Sequence, residues 1–167
     1  MSTLKTAVPH KKVGMEVEGA ALAAETLPGT LVQITGKDGL FTATKNAVRG
    51  ARCFVVYEDE HFGKTVRDAI AADENAQCFQ LEPGVKFTPI VKAGVAVVVG
   101  DLLIADADGL VDKPAAAVAA VEDETSGVTT TWPVAAEEKT AAQLYRAEEA
   151  CAAGATGDAR RILCRCL

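Results

Sequence analysis

Two serines and two histidines are all that the 167-residue chain contains of either type, and their positions restrict the chemistry open to it. Ser2 lies near the start and Ser126 in a threonine-rich stretch, with no Gly-x-Ser-x-Gly elbow around either, so a serine nucleophile has no base at hand. His10 also lies near the start, which leaves His61 as the base for a thiol such as Cys53 or Cys78. A small Cys/His hydrolase is therefore the enzymatic alternative. His61 sits in Glu58-Asp59-Glu60-His61-Phe62-Gly63, where acids would raise its pKa, but no second His or Cys stands at ligand spacing, and the stretch reads as a solvated loop. Asp106-Ala107-Asp108-Gly109 shares the opening of a calcium loop but lacks its third acid and closing Glu, so it reads as an Asp-Gly turn. Asp59, Glu82 and Asp101 would have to converge for glycosidic chemistry, and nothing distinguishes them from surface acids. Glycines fall singly at turns rather than in a phosphate loop. The residues predict a protein that is not an enzyme, with no catalytic residue, no metal and no cofactor.

The five cysteines are odd in number and form no Cys-x-x-Cys, which disfavours a disulfide framework or a zinc ribbon and fits reduced thiols. Cys164 and Cys166, two apart in a strand-like segment, share one face as small apolar residues. Net charge is -6, with acids scattered in groups such as Glu58-Asp59-Glu60 and Glu122-Asp123-Glu124, so nucleic acid is not an expected partner. Residues 1–15 differ, holding Lys5, Lys11 and Lys12 and no acidic residue, and reading as a basic arm. Met1–Val13 lacks the apolar stretch of a signal peptide, and the most apolar run, Ala93–Ala105, is broken by Gly94 and Gly100-Asp101, so no membrane span is predicted.

The elements that must position these residues are short strands. Turn residues cut the chain at Pro28-Gly29, Gly36-Lys37-Asp38-Gly39, Glu82-Pro83-Gly84, Ala93-Gly94, Gly100-Asp101 and Asp106-Ala107-Asp108-Gly109. Between them lie β-branched or aromatic pieces: Thr30–Thr35, Arg52–Tyr57, Gln77–Leu81, Val85–Val91, Val95–Val99 and Leu102–Ala105. Strands this short predict a mainly β fold, a compact barrel or sandwich that closes its own edges. The hydrophobic fraction is 49%, but 31 residues are alanine, so the core is modest. A short helix is expected at Lys64–Ala72, from the spacing of Val66, Ala69 and Ile70. Val17–Glu25 is left between helix and arm anchorage, and Glu137–Ala153 is helical by propensity before a strand at Arg161–Leu167. The expected organisation is an arm and lead-in over 1–26 and a single β-rich domain over 27–167, with a surface excursion at about 115–133.

Taken in order, Leu27-Pro28-Gly29-Thr30-Leu31-Val32, Lys92-Ala93-Gly94-Val95-Ala96-Val97-Val98-Val99-Gly100-Asp101-Leu102-Leu103, Asp108-Gly109-Leu110-Val111 and the terminal Gly157–Leu167 form a pattern. It resembles the lambda-like head decoration, or capsid cement, proteins of tailed bacteriophages, with a Gly-Asp-Leu-Leu hairpin as its signature. The resemblance implies a small β-barrel or β-tulip domain with an extended N-terminal arm. It implies a homotrimer on the outside of the expanded head, reached from the host cytoplasm, that binds the major capsid protein and holds neighbouring subunits together. It also implies that the arm residues Ser2, Thr3, Leu4, Lys5, Thr6, Ala7 and Val8 add a strand to a capsid-protein sheet. Trp132 and Phe62 are then candidates for a subunit or capsid interface. The resemblance favours strand over helix at Arg146–Ala150. The excursion around Val121–Trp132 and the lead-in Val13–Leu27 depart from the simplest members. The other structural readings are another virion or tail β-domain, or a host β-domain that binds a ligand inside its barrel.

Overall fold

A computed structural model describes residues 16–37, 40–58, 65–114, 121–122, 129–130, 143–155 and 160–167. Its strands are β1 (Glu16–Leu22), β2 (Leu31–Lys37), β3 (Leu40–Lys45), β4 (Phe54–Val56), β5 (Asn75–Gln80), β6 (Lys86–Phe87), β7 (Leu102–Ala105), β8 (Val111–Asp112), β9 (Val121–Glu122), β10 (Thr129–Thr130), β11 (Leu144–Ala147) and β12 (Cys164–Cys166). The first five close into a barrel in the order β1-β3-β2-β4-β5. β2 and β3 form a hairpin in which Lys37 faces Leu40 across the two residues Asp38 and Gly39. β1 closes the ring, antiparallel to β5 and parallel to β3, with a register shift between Val17 and Ala20 where Gly19 takes φ 75°. A second sheet follows in the order β6-β12-β11-β7-β8, and β9 pairs with β10 apart from both. A parallel bridge from Val91 to Val111 brings edge strand β8 back to the chain leaving β6, so this sheet also curls towards closure.

Alternation along the barrel strands explains how the two sheets share one body. Val32, Val56, Ala76 and Cys78 point into the barrel with Ala20, Leu22 and Ala43. Leu31, Val55 and Tyr57 point the other way, into a larger core with Phe87, Leu103 and Tyr145 of the second sheet. Both faces are buried, which is why Phe54-Val55-Val56-Tyr57 reads as a continuous apolar run rather than an alternating one. Phe87 meets Tyr145 edge-on with ring centroids 5.0 Å apart, and each such buried side chain contributes about 1.5–3 kcal/mol.

The mainly β barrel expected from the sequence is the observed fold, with three local differences. Residues 65–72, the described part of the expected helix, are a turn: the Asp68 carboxylate accepts hydrogen bonds from the Thr65 N–H and hydroxyl, both 2.8 Å, and Ile70 bridges Thr26. That local carboxylate bond competes with helical pairing while still burying Val66 and Ile70. Val95–Val99 yields only a bridge at Val97, opposite Cys151, because turns close on both sides of it. Val17–Glu25 is largely strand β1, and of Arg146–Ala150, where the resemblance implied strand, Arg146-Ala147 lie in β11 and residues 148–150 do not. The Thr-rich tip of the excursion contributes β10.

Candidate functional site

Ser2–Val8, Phe62 and Trp132, the residues singled out for binding, lie outside the described residues, as do His10, His61 and Asp59. The thiol half of the hydrolase alternative is described. Cys53 and Cys78 are buried, and desolvation pushes each thiol up to about 12, so neither is a thiolate at neutral pH. Cys53 donates to the Ala51 carbonyl at 3.3 Å. Cys164 and Cys166 are both buried on one face of β12, and burial raises both. No group of three or more His, Cys, Asp or Glu side chains converges as a metal site among the described residues. Glu82 is exposed, and Asp101 is engaged in a turn.

That turn is the Gly-Asp-Leu-Leu signature. The Asp101 N–H donates to the Val98 carbonyl at 3.1 Å, while the Asp101 carboxylate accepts the Val98 N–H at 2.9 Å. Gly100 takes φ 93° at its third position. The same x-x-Gly-x closure recurs at Leu27–Thr30, Glu82–Val85 and Lys92–Val95. The Gly100 N–H donates to the Ala147 carbonyl, the Ala147 N–H to that of Asp101, and Lys113 pairs with the Asp101 carboxylate at 2.8 Å. Burial alone would raise the Asp101 pKa, but Lys113 and the Val98 N–H outweigh it and hold the carboxyl below its ordinary range. This bracing carries Val98 and Val99 at its tip, 59% and 65% exposed.

Two polar clusters join the sheets. Arg161, ahead of β12, donates to the carbonyls of Pro28 and, at 2.6 Å, Val66 on the barrel side. Burial lowers its pKa to about 10, against the opposing pull of Glu58. Gly29 packs directly against this guanidinium. In the second cluster, Asp106 meets Lys92 at 2.6 Å and Arg49 at 3.1 Å, and Asp112 meets the same cations at 3.2 and 3.4 Å. Burial would raise Asp106, yet the Lys92 hydrogen bond and the charges of Lys92 and Arg49 hold it below the usual carboxylate range.

The outer face of the second sheet is where the charge is not balanced. Lys86 on β6 stands opposite Arg165 on β12, Arg165 opposite Arg146 on β11, and Arg146 opposite Leu102 on β7. Arg165 alternates with the buried Cys164 and Cys166, and Arg146 with the buried Tyr145 and Ala147, so both point outward. Glu148 bridges Lys86 at 2.8 Å and Arg165 at 2.6 Å, and those hydrogen bonds, Lys86 first, lower its pKa. The Arg146 side chain makes no hydrogen bond or ion pair among the described residues. The sequence predicts a final strand at Arg161–Leu167 but not this row, which exists only once the register of three strands is known. No helix among the described residues is long and apolar enough to cross a membrane.

No family model and no curated protein matches the sequence. The fold does have a solved counterpart, the N base of the head fiber gp8.5 of bacteriophage phi29, with a TM-score of 0.50 at 14% identity. The likeness covers 92% of this chain and 95% of that one. The two share an architecture across nearly their whole lengths.

Proposed function

We propose that this chain is a structural, non-catalytic virion protein that binds the outer surface of an expanded phage head and cements neighbouring major capsid proteins. The observation that carries the reading is the end-to-end fold likeness to a protein whose own name places it on a phage head. Two further features support it. The basic arm ahead of β1 has the length and polarity to add a strand to a neighbour's sheet, and Ser2–Val8 are its contact residues. Buried thiols held in the neutral form leave the hydrolase alternative without an activated nucleophile. In a homotrimer, three modest contacts act together through effective concentration, and a clamp forms without a tight single site. Trp132 and Phe62 are the aromatic candidates for that subunit or capsid contact.

Deleting Ser2–Val8 tests the arm. The truncated protein is expected to keep its melting temperature and lose co-sedimentation with expanded heads, and undiminished binding would refute the arm's role. A second reading, favoured by the name of the structural counterpart, is an attachment base for a head fiber. On the cement reading, added density bridges neighbouring subunits at every equivalent lattice site.

A further inference from the structure

The row Lys86–Arg165–Arg146 sets three cations side by side on consecutive strands of one sheet face, in a chain whose net charge is -6. Like charges directly opposite each other across a strand pair destabilise a sheet, and Glu148 bridges two of the three. Arg146, exposed and unpaired among the described residues, is the cation that Glu148 does not reach. Beside the charged row runs an apolar one. Leu167 is 42% exposed, its N–H donates to the Leu144 carbonyl, and Leu144 is half-buried on the same side of β11 as Arg146.

We propose that this face is a docking surface for a protein that presents a row of carboxylates flanked by apolar side chains; on the head-binding reading above, on which this assignment rests, that protein is the capsid subunit. The charge is complementary to carboxylates spaced like neighbouring strands, about 4.8 Å apart. The apolar Leu144–Leu167 row and the embedded Glu148 suit a protein surface and work against a phosphate backbone, which would be repelled by the carboxylate and has nothing to set against leucine.

Arg146→Glu is the direct test, because Arg146 has no described partner to lose and the variant should fold. Melting temperature should hold or rise slightly, because the change removes the repulsion opposite Arg165; binding to expanded heads should weaken by about tenfold or more, and the wild type should lose more affinity than the variant as salt rises. Wild-type and variant chains binding heads equally would overturn the proposal while leaving head binding intact. If the wild type fails to bind heads, the head-binding reading falls, and a synthetic peptide of alternating glutamate and leucine decides the face: capture by the wild type and not by Arg146→Glu supports it, and no capture overturns it. Stronger Arg146-dependent binding to duplex DNA than to that peptide would also overturn it.

Discussion

Gly29 shows how tightly single residues are held at the joint between the sheets. Its φ of 85° is left-handed, and an added Cβ would lie 2.6 Å from the Thr88 carbonyl and against the Arg161 guanidinium. Gly84 has a similar φ of 90° but open space around it. Gly29→Ala is therefore expected to destabilise by about 2–4 kcal/mol and Gly84→Ala by about 1 kcal/mol, read from urea midpoints. The cysteines allow a second check. Four of the five are buried and Cys151 is partly exposed, so a thiol reagent at neutral pH should label Cys151 quickly in the native protein and the other four only after unfolding. Rapid native labelling of Cys53 or Cys78 would revive the hydrolase alternative.

Among the elements, the ionic cluster at β8 gives a signed pH dependence. Asp106 is held below its ordinary pKa in the folded state, so its contribution is present above the unfolded value near 4 and is lost as pH falls through the lower folded value. Lys92 and Arg49 are partly exposed, so solvent limits the effect to about 1 kcal/mol. Asp106→Asn should melt below the wild type at pH 7, and the gap should narrow as pH falls below 4. At the Val98–Asp101 turn, Val99→Ser should leave stability within about 0.5 kcal/mol, whereas Asp101→Ala, which orphans the Val98 N–H, should cost about 1 kcal/mol. Strand content was legible where β-branched residues cluster between turn signals, and Leu102–Ala105 is the strand the sequence marks out. β1 was not legible, because Ala and Glu carry no strand preference and only burial of Ala20 and Leu22 inside the barrel makes that segment a strand. The helix expected around Val66 and Ile70 gave way to a carboxylate bond that spacing does not register. The basic row required cross-strand register, which no single segment encodes.

For the whole molecule, a barrel and a curled second sheet over a common core leave few free strand edges among the described residues, which limits edge-to-edge aggregation. The cementing account expects three copies acting together, so sedimentation should give three times the mass of the 17.3 kDa chain and thermal stability should rise with concentration. Imaging expanded heads by electron cryomicroscopy after mixing with the purified protein tests the central claim most directly. The account predicts added density on the outer surface that bridges neighbouring capsid subunits at every equivalent site. Heads that carry no added density at saturating protein would contradict it.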